Sequence, residues 1–388
     1  MNGFPLDEIC VVDLTQYVAG PYCTQVLADL GATVIKVERP GVGDVYRRQG
    51  PVFVNGESVS FLTLNRGKHS VELDLAAEGD RTQLLRLIAQ ADVLVENMRP
   101  GSLTKFALDY PSLARSFPRL IYCSISGFGQ RGPLAQLGGY DLTIQALSGL
   151  MAMTGHPDGP PAKIPVAALD FGSGLYGVVG ILAALIQREA TGRGQWVTTS
   201  IIECALAWLA MHITSFLMGD QEAQPLGTRS PFFAPYEAYR TADGYLVVVG
   251  TGGRDAWGDM CRALGAEHLI DDPRFCTNSD RVRNAEALKA EIEAMFGAAP
   301  TSHWEAKLAE AGVPCAPVQR LPQVLESEQV HALRIVGELS HPQAGFIPSI
   351  RLPLQFSESR STAEAPPPLL GSHNRDYLAG EREPSESS

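Results

Sequence analysis

One acidic residue stands out for its setting. Residues 163–177 read KIPVAALDFGSGLYG, and the only carboxylate among them is Asp170. A short apolar run precedes it, and Gly172, Ser173, Gly174 and Gly177 follow it. The pattern predicts a strand or loop ending at the acid, then a helix whose first turns pack closely. An anion there meets free backbone N–H groups and the positive end of the helix dipole. Such a carboxylate is either a plain helix cap or a reacting group. The segment alone leaves both open.

Four further polar clusters have chemical potential. Lys36 and Arg39 flank Glu38, and Asn65-Arg66-Gly67-Lys68 forms a basic turn between apolar runs. Asn97-Met98-Arg99-Pro100-Gly101 reads as a helix start, and Tyr140-Asp141 follows Gly138-Gly139 as a turn with a cap. Each alone is an ordinary solvated loop. Together, at the ends of apolar strands, they suit a phosphate-bearing ligand. No HExxH, GxSxG or P-loop occurs, which disfavours zinc hydrolysis, that type of serine hydrolysis and nucleoside triphosphate use.

The elements that must position these residues alternate. Residues 9–14 read as a buried parallel strand, 22–30 as a helix and 33–37 as the next strand. The first turn, TQYVAGPYC, lacks the GxGxxG fingerprint, so a nicotinamide or flavin enzyme is disfavoured. Strands are expected at 70–75, 93–96 and 120–125, with a helix at 78–90. Helices follow at 175–188 and 199–218. Residues 236–240 and 245–250 read as a hairpin, and helices are expected at 255–264, 282–295 and 302–311. A short strand falls within 347–356, and residues 365–371 read as extended. The fold class is therefore α/β: a Rossmann-like large domain with a parallel sheet, residues 1–200 and 333–380, and a smaller α+β domain, residues 231–326. Residues 201–230 are a linker helix and loop, and 381–388 a disordered tail.

Composition narrows the function. Among 388 residues, 45% are hydrophobic and 19% charged, enough for a packed core. The net charge of -12 argues against nucleic-acid binding and requires a local basic pocket for any anionic ligand. The start lacks the pattern of a signal peptide, and no unbroken apolar run reaches about 18 residues, so neither export nor a membrane span is expected. Seven scattered cysteines without a CxxC pair suit a reduced, cytoplasmic protein without structural zinc or another metal site.

Taken in order, AGPYCTQVLADLGATVIKVERPGVGD at 19–44, LNRGKHSVELDL at 64–75, DVLVENMRPG at 92–101, YDLTIQALSGLMAMTG at 140–155, DFGSG at 170–174 and APPPLLGSH at 365–373 resemble the class III CoA-transferases, the family of formyl-CoA transferase and carnitine CoA-transferase. The resemblance implies coenzyme A as substrate and acyl carrier, an acyl-CoA donor, a carboxylate acceptor and an interlocked homodimer. It implies that Asp170 attacks the thioester, with Gln16 close to the reacting carboxylate. Positions matching the family's CoA site are Gln16, Tyr17, Arg39, Asn65, Arg66, Lys68, Asn97, Met98, Arg99, Lys105 and Tyr140, with Arg39 and Lys68 suited to phosphates. Lys105 stands where formyl-CoA transferases carry arginine.

One departure bears on the substrate. Formyl-CoA transferases have a glycine run just before the small domain's first strand, and here that place reads Thr228-Arg229-Ser230-Pro231-Phe232-Phe233. This segment is more similar to relatives that handle succinyl-CoA and larger dicarboxylates. Arg229, Ser230, Phe232 and Phe233 are thus candidate substrate-pocket residues. The rival on the same fold is a 2-methylacyl-CoA racemase. Its GHD motif reads Gly139-Tyr140-Asp141 here, without the histidine.

Overall fold

The computed structural model describes residues 3–251 and 255–378. The tail expected to be disordered, 381–388, lies outside the described residues. The chain forms two compact units, each assembled from separate stretches. The first comprises residues 1–148, 164–211 and 331–388, and the second 149–163 and 212–330. Residues 149–163, read from sequence as part of the large domain, cluster with the second unit.

The first unit is built on six parallel strands: β1 (Cys10–Asp13), β2 (Thr33–Glu38), β3 (Lys68–Glu72), β4 (Val93–Glu96), β5 (Ile121–Ser126) and β6 (Trp196–Ser200), in the spatial order β3-β2-β1-β4-β5-β6. β1 lies between β2 and β4, with Val11 opposite Val34 on one side and Val93 on the other. The order reverses direction between β1 and β4. That switch point leaves a crevice outside the carboxyl ends of the strands. Val11, Val34, Val93, Val95 and Ile121 are sealed within the sheet, which is why these strands read as apolar runs rather than alternating ones.

The helices α1 (Ala19–Asp29), α2 (Val59–Leu64), α3 (Glu78–Gln90), α4 (Tyr110–Ser116) and α5 (Asp141–Leu147) precede the long α6 (Ala168–Thr191), which ends at Gly192 in the left-handed conformation, φ +69°. α6 is long and apolar enough to cross a membrane by length and composition. Core helices share that length and composition, and half of its most apolar stretch is buried within the protein. Its buried face carries Val178, Ile181, Ala184 and Leu185 into the core shared with α1 and the sheet. Short helices α7 (Ile201–Trp208) and α8 (Ala210–Gly219) follow, α8 running across the boundary of the two units.

Three expectations need correction. Residues 196–200 form the edge strand β6, whereas the sequence reading ran a helix from 199. Residues 97–101 are a turn rather than a helix start, and a single 3-10 turn follows at Thr104–Phe106. The late strand is a hairpin, Val336–His341 with Gly345–Ile350.

In the second unit the strand Tyr245–Val249 lies between Tyr236–Arg240 and Cys315–Pro317, all antiparallel. The helices Ala256–Leu264, Ala285–Phe296 and Thr301–Glu310 cover this sheet, burying Phe275, Phe296 and Trp304.

Candidate active site

Asp170 is the third residue of α6. The helix cap, Ala167, offers no side-chain hydrogen bond. The cap comes instead from Asp141, the first residue of α5. Asp141 Oδ2 accepts the N–H groups of Leu169 (2.8 Å) and Asp170 (3.3 Å), while Oδ1 accepts Gln145 Nε2 at 2.5 Å. Gln145 Oε1 in turn accepts the Ile164 N–H at 2.9 Å and holds the loop leading into α6. The open question from sequence is thus resolved by a neighbour: Asp141 caps the helix. The Asp170 carboxylate accepts no hydrogen bond among the described residues.

This leaves Asp170 half-buried and unpartnered. Burial, and then the charge of Asp141, push its pKa up to about 7. The glycines after it let neighbours approach. A Cβ on Gly174 would lie 2.6 Å from the Ala19 carbonyl, so α1 seats its first turn directly on α6. The Phe171 ring meets Tyr22 edge-on, centroids 4.7 Å apart.

The exit loops contact one another. At the switch point, Gln16 N–H donates to Asn97 Oδ1 (2.9 Å) and Asn97 Nδ2 donates to the Gln16 carbonyl (2.7 Å). Asn97 therefore spends its amide on fixing Gln16, whose own side chain makes no hydrogen bond among the described residues. Tyr17 takes the left-handed conformation, φ +67°, uncommon for a side chain of that size. Its ring stands edge-on to Tyr46 (5.7 Å) and to exposed Tyr140 (5.9 Å). Burial and then the charges of Asp170 and Asp44 raise the Tyr46 pKa. Asp44 Oδ1 accepts the N–H groups of Tyr46 (3.0 Å) and Tyr17 (3.3 Å).

The cations grouped by sequence separate into two sets. Arg39, Arg99 and Lys105 are exposed and make no ion pair among the described residues; Lys105 lies 4.7 Å over the Phe106 ring. Arg66 and Lys68, both CoA positions by resemblance and Lys68 alone of the two suited there to a phosphate, are buried. Arg66 forms a bidentate pair with Asp29. Lys68 Nζ reaches Asp13 Oδ2 (3.1 Å), the Pro21 carbonyl (2.9 Å) and Asn65 Oδ1 (2.9 Å). Asn65 is buried with it and donates to the Phe61 carbonyl at 3.0 Å. Met98 also faces inward: its N–H donates to Glu96 Oε2 (2.9 Å) and its side chain packs on the core. Charge and burial decide this sorting, because a cation already neutralised indoors has little left to offer a phosphate.

In the second unit, Arg229 is not the free charge expected from its segment. Its Nη1 pairs with Glu286 Oε1 at 2.6 Å. Arg229 and Phe232 line a cavity of about 810 Å³ with Met153, His212 and Ser215. Ser230 Oγ accepts the N–H groups of Phe232 (3.1 Å) and Phe233 (3.3 Å), fixing the turn, and Phe233 is exposed.

Sequence reasoning passed over Asp44, Tyr46 and Gln145 and treated Asp141 as a local cap. Asp141 carried a signal, since it adjoins Tyr140 in a singled-out motif. Tyr46 carried none.

Residues 6–374 match the family model described as CoA-transferase family III. The chain belongs to that family. It is 39% identical over 374 residues to the succinyl-CoA:glutarate CoA-transferase of Mus musculus, covering 96% of this chain and 86% of the relative. It is 40% identical over 329 residues to the acetyl-CoA:oxalate CoA-transferase of Acetobacter aceti, covering 84% of each. Among solved structures, a CAIB/BAIF family protein from Brucella suis matches with a TM-score of 0.85 at 38% identity, covering 96% of this chain and 98% of that one. A protein from Mycobacterium tuberculosis matches with a TM-score of 0.87 at 33% identity, covering 97% and 100%. This family III CoA-transferase is thus an enzyme that transfers coenzyme A, and CoA is its substrate. Among its described residues no group of three or more His, Cys, Asp or Glu is arranged to hold a metal ion.

Proposed function

We propose that this enzyme moves CoA between a dicarboxylic acyl-CoA, such as succinyl-CoA, and an acceptor carboxylate, with Asp170 as the nucleophile. The observation that carries the reading is the unpartnered, half-buried Asp170 carboxylate, whose helix end is capped by Asp141 and whose charge reaches Tyr46. Asp170 attacks the thioester carbonyl, the C–S bond breaks and CoA thiolate leaves a mixed anhydride. The thiolate attacks the aspartyl carbonyl, releasing the first acid and forming an aspartyl-CoA thioester. The acceptor carboxylate displaces the thiolate as a second anhydride. Attack of the thiolate on the acceptor's acyl carbon yields the new acyl-CoA and restores Asp170. A carboxylate is a weak nucleophile, so desolvation and placement carry much of the rate. The Gln16 amide suits an oxyanion donor. Arg39, Arg99 and Lys105 suit the CoA phosphates.

The substrate class is supported by relatives named for succinyl-CoA with glutarate or mesaconate. Arg229, with Ser230, Phe232 and Phe233, is proposed to favour dicarboxylates, in which case a substrate carboxylate takes the place of Glu286. The racemase alternative needs a histidine at the position of Tyr140. We also propose a homodimer, on the family resemblance, and a cytoplasmic location, on the scattered cysteines. An acceptor panel with succinyl-CoA, acetyl-CoA and formyl-CoA, read by mass spectrometry of the CoA products, tests the function. Succinyl-CoA with a dicarboxylate should give the fastest exchange and a hydroxylamine-sensitive adduct on Asp170. Formate as the best acceptor, or α-proton exchange without an acceptor, would overturn the reading. Sedimentation of a folded, active monomer would remove the dimer.

A further inference from the structure

The stretch 365–373, APPPLLGSH, contributes to the family resemblance but has no chemistry of its own. In the structure, residues at its end close the open edge of the parallel sheet. β3 is the edge strand, and two of its amides are taken by side chains from this region. Ser70 N–H donates to His373 Nδ1 (3.2 Å) and Glu72 N–H donates to Asn374 Oδ1 (2.8 Å). His373 N–H returns to the Ser70 carbonyl at 3.0 Å. Gly371 N–H donates to Ser70 Oγ at 2.9 Å, with φ at +65°, and a Cβ there would strike the Glu72 carboxylate.

The contacts continue inward to the loop 39–47. Ser70 Oγ donates to Glu38 Oε1 (2.7 Å), and Glu38 Oε2 accepts the Asp44 N–H (2.8 Å) and Arg47 Nε (2.7 Å). Arg47 also donates to the Pro368 carbonyl, at 3.2 Å from Nη1 and 3.1 Å from Nη2. Glu72 Oε1 accepts the Gly41 N–H at 2.6 Å. One end of that loop carries exposed Arg39. The other carries Asp44, whose carboxylate holds the backbone of Tyr17 and Tyr46. An edge strand left open would instead be a site for pairing with other chains.

We propose that Gly371, His373 and Asn374 are positioning residues for CoA binding, acting through Ser70, Glu72 and Glu38 to fix the loop 39–47. The inference rests on the reading that Arg39 meets a CoA phosphate. None of the three residues contacts Asp170 among the described residues, and the contact through Glu72 reaches the loop at Gly41, beside Arg39, so the effect on the binding of CoA exceeds that on the chemical step.

The test is steady-state kinetics on the full chain, with succinyl-CoA and a saturating dicarboxylate. His373→Ala and Asn374→Ala should each raise the KM for succinyl-CoA by about five- to tenfold, with kcat and the acceptor KM within about twofold. His373→Asn keeps an acceptor near the position of Nδ1 and should restore most of the loss. Gly371→Ala reaches the same loop by displacing Glu72, and serves if one of the others fails to fold. A purely structural role would lower Tm in all of them and leave the KM for succinyl-CoA of the folded enzyme unchanged, which would overturn the inference. Arg39→Ala separates the two readings. If it raises the KM for succinyl-CoA while the C-terminal variants do not, the inference falls alone. If it leaves that KM unchanged, the phosphate reading falls first.

Discussion

Asp13 and Asp170 are both withdrawn from water in the same unit, yet they end at opposite extremes. Asp13, at the end of β1, accepts the Thr15 N–H (2.8 Å), the Thr24 hydroxyl (2.7 Å) and Lys68 Nζ (3.1 Å). Burial alone would raise its pKa, but Lys36, Lys68 and the hydroxyls override that and bring it to about 2. Asp170 has no such donors and an anion beside it, and reaches about 7. Burial alone therefore does not set a carboxylate's pKa; the presence or lack of partners does. The cost of Asp13 is met inside the fold. That of Asp170 is not met by any donor among the described residues.

The largest expected contrast is between their substitutions. Asp170→Ala should reduce transfer by about 10⁴-fold or more in kcat, with CoA binding and fold retained. Asp13→Asn should do the reverse: it leaves Lys68 poorly compensated and costs about 3–5 kcal/mol in urea unfolding, with activity per folded molecule down by less than about tenfold. If the two variants behave alike, partnering is not what separates these acids.

The cations offer the next test. Arg39→Ala should raise the KM for succinyl-CoA by about tenfold and weaken its salt dependence. Arg66→Ala should lower Tm instead, since it leaves Asp29 buried without its partner.

The acid limb of the pH profile sharpens the comparison further. kcat/KM should rise with pH through about 7 as Asp170 ionises. Asp141→Asn removes the second contribution to the shift and should move that limb down by about one unit, to a value still above an ordinary carboxylate because desolvation remains. A limb that stays at 7 would show that Asp141 acts only as the helix cap.

The smallest effect is on stability. The folded pKa of Asp170 lies above its unfolded value near 4, so the native state binds more protons than the unfolded chain between about pH 4 and 7. Stability from this group therefore falls as pH rises through that window. Asp170→Asn should be more stable than the parent at pH 8 by about 1–2 kcal/mol, discounted for partial exposure, and no more stable below pH 4. Thermal unfolding at the two pH values measures it.

Much of the fold was legible because buried parallel strands and amphipathic helices leave strong local patterns. The helix Glu78–Gln90 and the strand Val93–Glu96 fall where sequence puts them. β6 was missed because its WVTTS sequence lies on the sheet's edge, where one side stays wet and the apolar run is short. Asp170 could be found from its glycines, which a close helix contact requires. The five basic candidates could not be sorted, because Arg39 and Lys68 look alike until their neighbours are known.

The sequence by itself determined the alternating α/β plan and the family, and it singled out Asp170 as the candidate nucleophile, since these depend on local periodicity and on short motifs. Only the tertiary structure decided which charges work and which are neutralised. Asp29 meets Arg66, Asp13 meets Lys68 and Asp141 caps Asp170 across gaps of 37, 55 and 29 residues. Electrostatic pairing depends on distance in space and on exclusion of water, and neither is encoded in the spacing of residues along the chain.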